Sequence, residues 1–410
     1  MKEKSKNLIV IIGNGFDLAH GLKTSYNDFA NYYLNEVIIT KVFDFENNKQ
    51  FLNKELLLYL NQNGTVFFSD LSTESTDDKF LNNLAYLIQQ NETNKVSTFL
   101  NSNNEYIELL ISNELLGKLY SNSFENWFDI EQAYYEELKD IYASPKENHN
   151  DKLKILNKNL QEIKEALKKY LNDKIEPAHN GSVNYSFENH FIDRENVSFI
   201  NFNYTNTINC YRHSVNLNLN KNIHIHNSLS EDIIFGYGDD TDEMYQKMKA
   251  SKNNSFLKYF KTFDYLKSKN YRKVLNQLAT FKDGYDVLVI GHSLGGTDKT
   301  ILKTILDDDS CQNIELLKRS DFDTDERYEE LNLVEKEQLK ADNLFELYAN
   351  LARIFDSEDS LREKVIPFEW SINFPVMANY DYTKIQKREK ELFIIKSNHI
   401  TLKTRKRKTT

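Results

Sequence analysis

The sequence predicts an α/β fold: a largely parallel sheet that carries a large helical insertion. Two runs and the stretch between them support this. Leu8-Ile9-Val10-Ile11-Ile12 and Val287-Leu288-Val289-Ile290 are continuous and apolar, as strands covered on both faces must be. Each ends in glycines, at Gly13-Asn14-Gly15 and at Gly291-His292-Ser293-Leu294-Gly295-Gly296. From about residue 50 to 175 the apolar residues recur at helical spacing, with little Gly or Pro to interrupt them.

Taken in order, the first strand leads through the glycines to a helix expected to start near Thr24 or Ser25, either of which can cap it, with Tyr26, Phe29, Tyr32 and Tyr33 turned inward. Leu52, Leu56, Leu57 and Leu60 repeat at helical spacing, as do Ile107, Leu110 and Ile111. Trp127 to Ile141 reads as a helix, and so does Lys152 to Asn172, with Leu153, Leu156, Leu160, Ile163 and Leu167 as its stripe. Strand patterns return at Val197–Phe202, Ile223–His226 and Ile233–Gly238. Amphipathic stretches follow at 244–260 and 271–281, then the second buried strand, a helix from Asp298 to Leu306, a strand near Ile314–Leu317 and a helix over Leu344–Phe355. Residues 1–49 and 181–325 are thus expected to form two parts of one core, 50–180 a helical lobe, and 326–410 a helical or mixed extension with a basic tail.

The chain has 410 residues and a formal net charge of -10, which favours solubility and argues against a broad nucleic-acid-binding surface. The one concentrated basic run, Lys403, Arg405, Lys406, Arg407 and Lys408, reads as a solvated tail. Cys210 and Cys311 read as reduced core residues, and no Cys/His cluster has zinc spacing, so no metal is expected. No apolar run approaches bilayer length, and Leu8–Ile12 is too short for a secretory h-region; a cytoplasmic protein with no membrane partner is expected.

Four motifs can carry chemistry. Gly13-Asn14-Gly15-Phe16-Asp17-Leu18 lets a backbone approach an anionic ligand, although Leu18 stands where a dinucleotide fingerprint has its third glycine. Asn201-Phe202-Asn203-Tyr204-Thr205-Asn206-Thr207 crowds polar side chains at a strand end, where open α/β sheets bind ligands and where turn chemistry is also common. His224-Ile225-His226 would put two imidazoles on one strand face, as a metal pair lacking a third ligand, a general base, or a hydrogen-bonded structural pair. Gly291-His292-Ser293-Leu294-Gly295 matches the nucleophile elbow of serine hydrolases, but the histidine required downstream is represented only by His399. In Trp127-Phe128-Asp129-Ile130-Glu131 the two acids do not share a helix face, so at least one is expected to point toward the core or the site.

The run Ile11 to Phe29 closely resembles the N-terminal signature of the AbiH family of bacteriophage abortive-infection proteins. Trp127 to Glu131, Phe202-Asn203-Tyr204-Thr205 with the following His-x-His, and Gly291-His292-Ser293-Leu294 with Asp298 resemble that family in the same order, over roughly residues 7 to 320. Asn227 departs from it, standing where the pattern usually has glycine. The order of motifs is similar, more distantly, to sirtuin-like antiphage domains that destroy NAD.

The resemblance implies a Rossmann-like (sirtuin-like) core, a role in antiphage defence and a phage-derived trigger. It also implies NAD or a related nucleotide as ligand, held by Gly13, Asn14, Gly15, Phe16, Asp17, Thr24, Tyr204, His224, Gly291, Ser293 and Asp298. Asn203 and His226 become the reactive pair of an NAD(P) glycohydrolase-like enzyme, with His224 deeper toward the sheet in support and Ser293 a hydrogen-bond donor instead of a nucleophile. A non-catalytic sensor of a nucleotide or phage component, and more remotely a serine hydrolase, stay open, as does a homo-oligomer.

Overall fold

The computed structural model describes residues 4–61, 75–121, 127–176, 187, 191, 193–211, 222–317 and 330–371. His399 and the basic run at 403–408 lie outside them. Five strands form one sheet: β1 (Asn7–Ile12), β2 (Asn196–Asn201), β3 (Asn222–His224), β4 (Tyr285–Ile290) and β5 (Cys311–Leu316). Every pairing is parallel and the order is β3-β2-β1-β4-β5. β1 is central, with Val10 opposite Phe199 on one side and Leu288 on the other. The unbroken apolar runs of β1 and β4 follow from that placement, because both faces of each are covered.

Between β1 and β2 the chain forms α1 (Asn14–Ala19), α2 (Tyr26–Tyr32), α3 (Ile39–Phe43), α4 (Lys54–Asn61) and α5 (Thr76–Gln89). It continues through α6 (Thr93–Asn101), α7 (Glu114–Ser121), α8 (Trp127–Ala143) and α9 (His149–Tyr170). Between β3 and β4 lie α10 (Glu243–Ala250), α11 (Lys261–Lys267) and α12 (Asn270–Thr280). α13 (Lys299–Leu306) joins β4 to β5, and α14 (Leu333–Ala352) and α15 (Glu358–Lys364) follow. One buried apolar cluster unites the helices between Leu22 and Ile175 with Leu229–Phe260, and two smaller ones cover the faces of the sheet. Among the described residues no helix is long and apolar enough to cross a membrane.

Three expectations need correction. Helix starts at Asn14, directly after the strand, and the later helix expected near Thr24 or Ser25 is α2, capped by Ser25 in a reciprocal box with Asp28. Ile233–Gly238 forms no ladder. Its amides are satisfied one at a time instead, Ile234 N by the His226 carbonyl, Gly236 N by Glu131 and Tyr237 N by the Tyr259 carbonyl. β3 ends at His224, so His226 belongs to the turn beyond it and the two imidazoles have different surroundings.

Candidate functional site

The strand order reverses at β1: β2 and β3 are added on one side, β4 and β5 on the other. In open parallel sheets the crevice for a ligand opens at such a point, beyond the carboxyl ends of the strands. Gly13, Asn203, His226 and Gly291 all lie within two residues of those ends, on β1, β2, β3 and β4 respectively.

The two glycine turns are locked to each other. Gly13 N donates to the Ile290 carbonyl and Gly15 N to the Gly291 carbonyl, each at 2.9 Å, while Phe16 N donates to Gly13 O. A Cβ on Gly13 would lie 2.5 Å from His292 Cα, and one on Gly15 2.7 Å from Gly291 Cα. Glycine is therefore required here by the approach of two protein backbones, a different reason from the ligand approach read in the sequence. The Phe16 ring is buried in the core, 5.5 Å from the ring of Phe187. Asn14 Nδ2 donates to the carbonyl of buried Thr24 at 3.0 Å, tying α1 to the chain before α2.

Asn203 is 8% exposed. Its Nδ2 donates to Gly13 O at 3.0 Å, and its carbonyl accepts from His224 Nδ1 at 2.8 Å. His224 is half-buried on the edge strand, less enclosed than His226, contrary to the expected depth; burial holds its imidazole below the ordinary range. Asp17, in the first turn of α1, is fully buried and accepts from the Thr205 hydroxyl. Burial pushes its carboxyl up to about 6, against the pull of Thr205, Thr207 and Asn203. Tyr204 Oη donates to the Ile234 carbonyl at 2.9 Å.

His226, 5% exposed, is the centre of a charged cluster. Its Nε2 lies 3.0 Å from Asp298 Oδ1 and 3.3 Å from Tyr265 Oη. The same Asp298 oxygen accepts from Lys261 Nζ at 2.7 Å, and Lys261 Nζ also donates to Glu131 Oε2 at 2.9 Å. Burial alone would raise the Asp298 carboxyl, but Lys261 and His226 outweigh it and hold Asp298 well below the usual carboxylate range. Burial likewise acts to lower the Lys261 ammonium, and its two carboxylates reverse that and keep it charged. Burial pushes the Glu131 carboxyl upward, while donors on both its oxygens favour the carboxylate. His292, whose Nδ1 accepts from Leu294 N at 2.9 Å, turns Nε2 toward Asp298 Oδ2 at 3.7 Å. Burial pushes it down to about 4, so it is neutral at pH 7. The Phe202 ring lies edge-on to both imidazoles, at 5.3 Å from His226 and 4.2 Å from His292.

Asn227, next to His226, has φ 64, the conformation for which the family pattern's glycine is suited and which asparagine tolerates. Its Oδ1 accepts from Ser268 Oγ and Asn270 Nδ2, which anchors the turn. Ser293 is exposed, and its carbonyl accepts from Asn350 Nδ2. The residues with positive φ in this loop are Gly291 and Leu294, so Ser293 lacks the strained geometry of a nucleophile elbow.

Lys261 is the member that the motifs did not identify; Glu131 belongs to the Trp127–Glu131 stretch, from which at least one acid was expected to point toward the core or the site. Glu131 carried a signal: with Tyr134, Tyr135 and Leu138 it lies on the buried stripe of α8, and an acid there requires a partner. Among the described residues no group of three His, Cys, Asp or Glu is arranged to hold a metal. A groove of about 500 Å3 runs along α13, lined by Asp240, Lys299, Thr300, Lys303 and Asp356 among others, and includes none of the site residues.

Residues 9–319 match the family model described as bacteriophage abortive infection AbiH. No curated protein and no solved structure matches the chain.

Proposed function

The chain belongs to the AbiH family of bacteriophage abortive infection proteins, and from that premise we propose that the crevice at the reversal of its strand order binds NAD or a related nucleotide and hydrolyses it during infection. Antiphage defence by abortive infection is the family's function; the chemistry is our reading. The observation that carries it is the His226–Asp298 contact of 3.0 Å, with Asn203 and His226 each two residues past the ends of the adjacent strands β2 and β3. A base oriented by a carboxylate, together with a buried amide, is what cleavage of a ribosyl bond requires.

In this scheme Asn203 orients the ribose hydroxyls and the attacking water. The bond from C1′ to the nicotinamide nitrogen breaks, its electron pair neutralises the pyridinium, and the water oxygen bonds to C1′. The water's proton passes to the His226 imidazole, and Asp298 stabilises the imidazolium that forms. The likeness to sirtuin-like domains, from which the choice of NAD comes, is part of the proposal.

A second reading, a nucleotide sensor without chemistry, draws on the near-complete burial of Asn203 and His226. Purified protein incubated with NAD, NADP and other nucleotides, alone and with extract of infected cells, distinguishes the two. Hydrolysis releases nicotinamide, and Asn203→Ala and His226→Ala each lower the rate by about 10²–10⁴-fold with the fold intact by circular dichroism. Binding without turnover under all these conditions supports the sensor, and a His226→Ala protein that still protects cells fully removes His226 from the mechanism.

A further inference from the structure

We infer that the helical insertion completes this site: Glu131 of α8, acting through Lys261 at the start of α11, clamps Asp298 against His226. The inference rests on the hydrolase reading for its consequence in rate, and on geometry for the clamp itself.

Asp298 is the N-cap residue of α13, where an aspartate ordinarily turns its carboxylate onto the first amides of its own helix. Here it makes no such bond. The carboxylate points away from its helix, and one oxygen serves both Lys261 and His226. Lys261 is 1% exposed, and its ammonium is held between Asp298 and Glu131. Glu131 is fixed in turn by Gly236 N at 2.9 Å. That amide belongs to the same loop in which Ile234 N donates to the His226 carbonyl, so Glu131 restrains His226 from two directions.

The charges give the arrangement its use. The Asp298 carboxylate, held in its charged form by Lys261 and His226, faces the imidazole directly and matches an imidazolium formed when the base takes a proton. The other groups facing the cluster, Tyr265 Oη at 3.3 Å from His226 and His292 Nε2 at 3.7 Å from Asp298, are neutral. Lys261 and Glu131 are thus positioning residues, and the helical layer has a direct electrostatic connection to the reacting groups.

The test uses the full chain with isotope-labelled histidine. The proton on His226 Nε2, bonded to Asp298, gives a downfield resonance assigned through His226→Gln. Glu131→Gln, which keeps the shape and the bond to Gly236, should shift that resonance and lower kcat for nicotinamide release by about 10–100-fold, the range for loss of an orienting outer-shell partner. Lys261→Met should do the same. Tyr120→Phe removes the bond from Tyr120 Oη to the Ala30 carbonyl, between α7 and α2 of the helical layer, and should lower Tm without moving the resonance or kcat. An unchanged resonance in Glu131→Gln overturns the clamp, as does an equal shift in Tyr120→Phe. A wild-type protein inert toward every nucleotide would end the hydrolase reading, and the resonance would still decide the clamp.

Discussion

Replacing Gly291 by alanine tests the locked turns at the centre of the sheet. Gly291 has φ +65, a conformation that costs a residue with a Cβ about 1–2 kcal/mol. The new Cβ would lie 2.5 Å from Phe16 N and 2.6 Å from Gly15 Cα, both main-chain atoms that cannot rotate away. Crowding of this kind costs about 1–3 kcal/mol further, so Gly291→Ala should lose about 2–5 kcal/mol, a large share of a typical folding free energy. Gly21→Ala separates the two contributions, since Gly21 has φ +74 with nothing within 4 Å of the added methyl. Urea denaturation with unchanged m-values should therefore show Gly291→Ala less stable than Gly21→Ala by about 1–3 kcal/mol. Equal losses would mean that the turns do not press on each other, and the packing explanation of Gly13 and Gly15 would fall with them. Larger residues at position 15 accordingly probe packing before they probe any ligand.

Other outcomes follow from the same geometry. A fluorophosphonate probe should leave Ser293 unlabelled, and covalent labelling there would restore the serine hydrolase. Asp17 and His292 give opposite pH dependences. The buried Asp17, raised from 3.8 to about 6, holds its proton longer in the folded chain, so its contribution falls as pH rises through that window. His292, lowered from 6.5 to about 4, contributes stability above about pH 6.5 that is lost as pH falls toward about 4. Asp17→Asn removes the first effect, and its stability relative to wild type should climb by about 3 kcal/mol from about pH 4 to 7. A flat difference would show that Asp17 titrates normally.

The sheet was legible because burial on both faces leaves a pattern no other element shares, as in Leu8–Ile12 and Val287–Ile290. The helical stretch was legible from its stripes, and Asn203, His226 and Asp298 from motifs at strand ends. Ile233–Gly238 misled because apolar, β-branched residues suit any buried extended backbone, whether or not a neighbouring strand is there to pair with it. His224 and His226 misled because alternation holds only while the strand lasts. Lys261 carried no motif at all. Its role comes from Glu131, 130 positions away, and only the fold brings the two together.

The central place of β1 has a consequence for synthesis. Its neighbours on either side are Val197 and Asp286 opposite Leu8, so the first strand made has one edge unpaired until β4 is synthesised. At about 5–20 residues per second, β1 waits on the order of 15–55 s after emerging before β4 exists to pair with it. Until then the glycine turns have no partner, and Lys261 and Asp298 have not met. A chain cut short before the second glycine loop therefore cannot assemble the cluster of Lys261, Asp298 and His226. Ribosome-held chains ending before residue 285 should leave β1 open to protease, and protection at that length would show that the strand finds cover earlier.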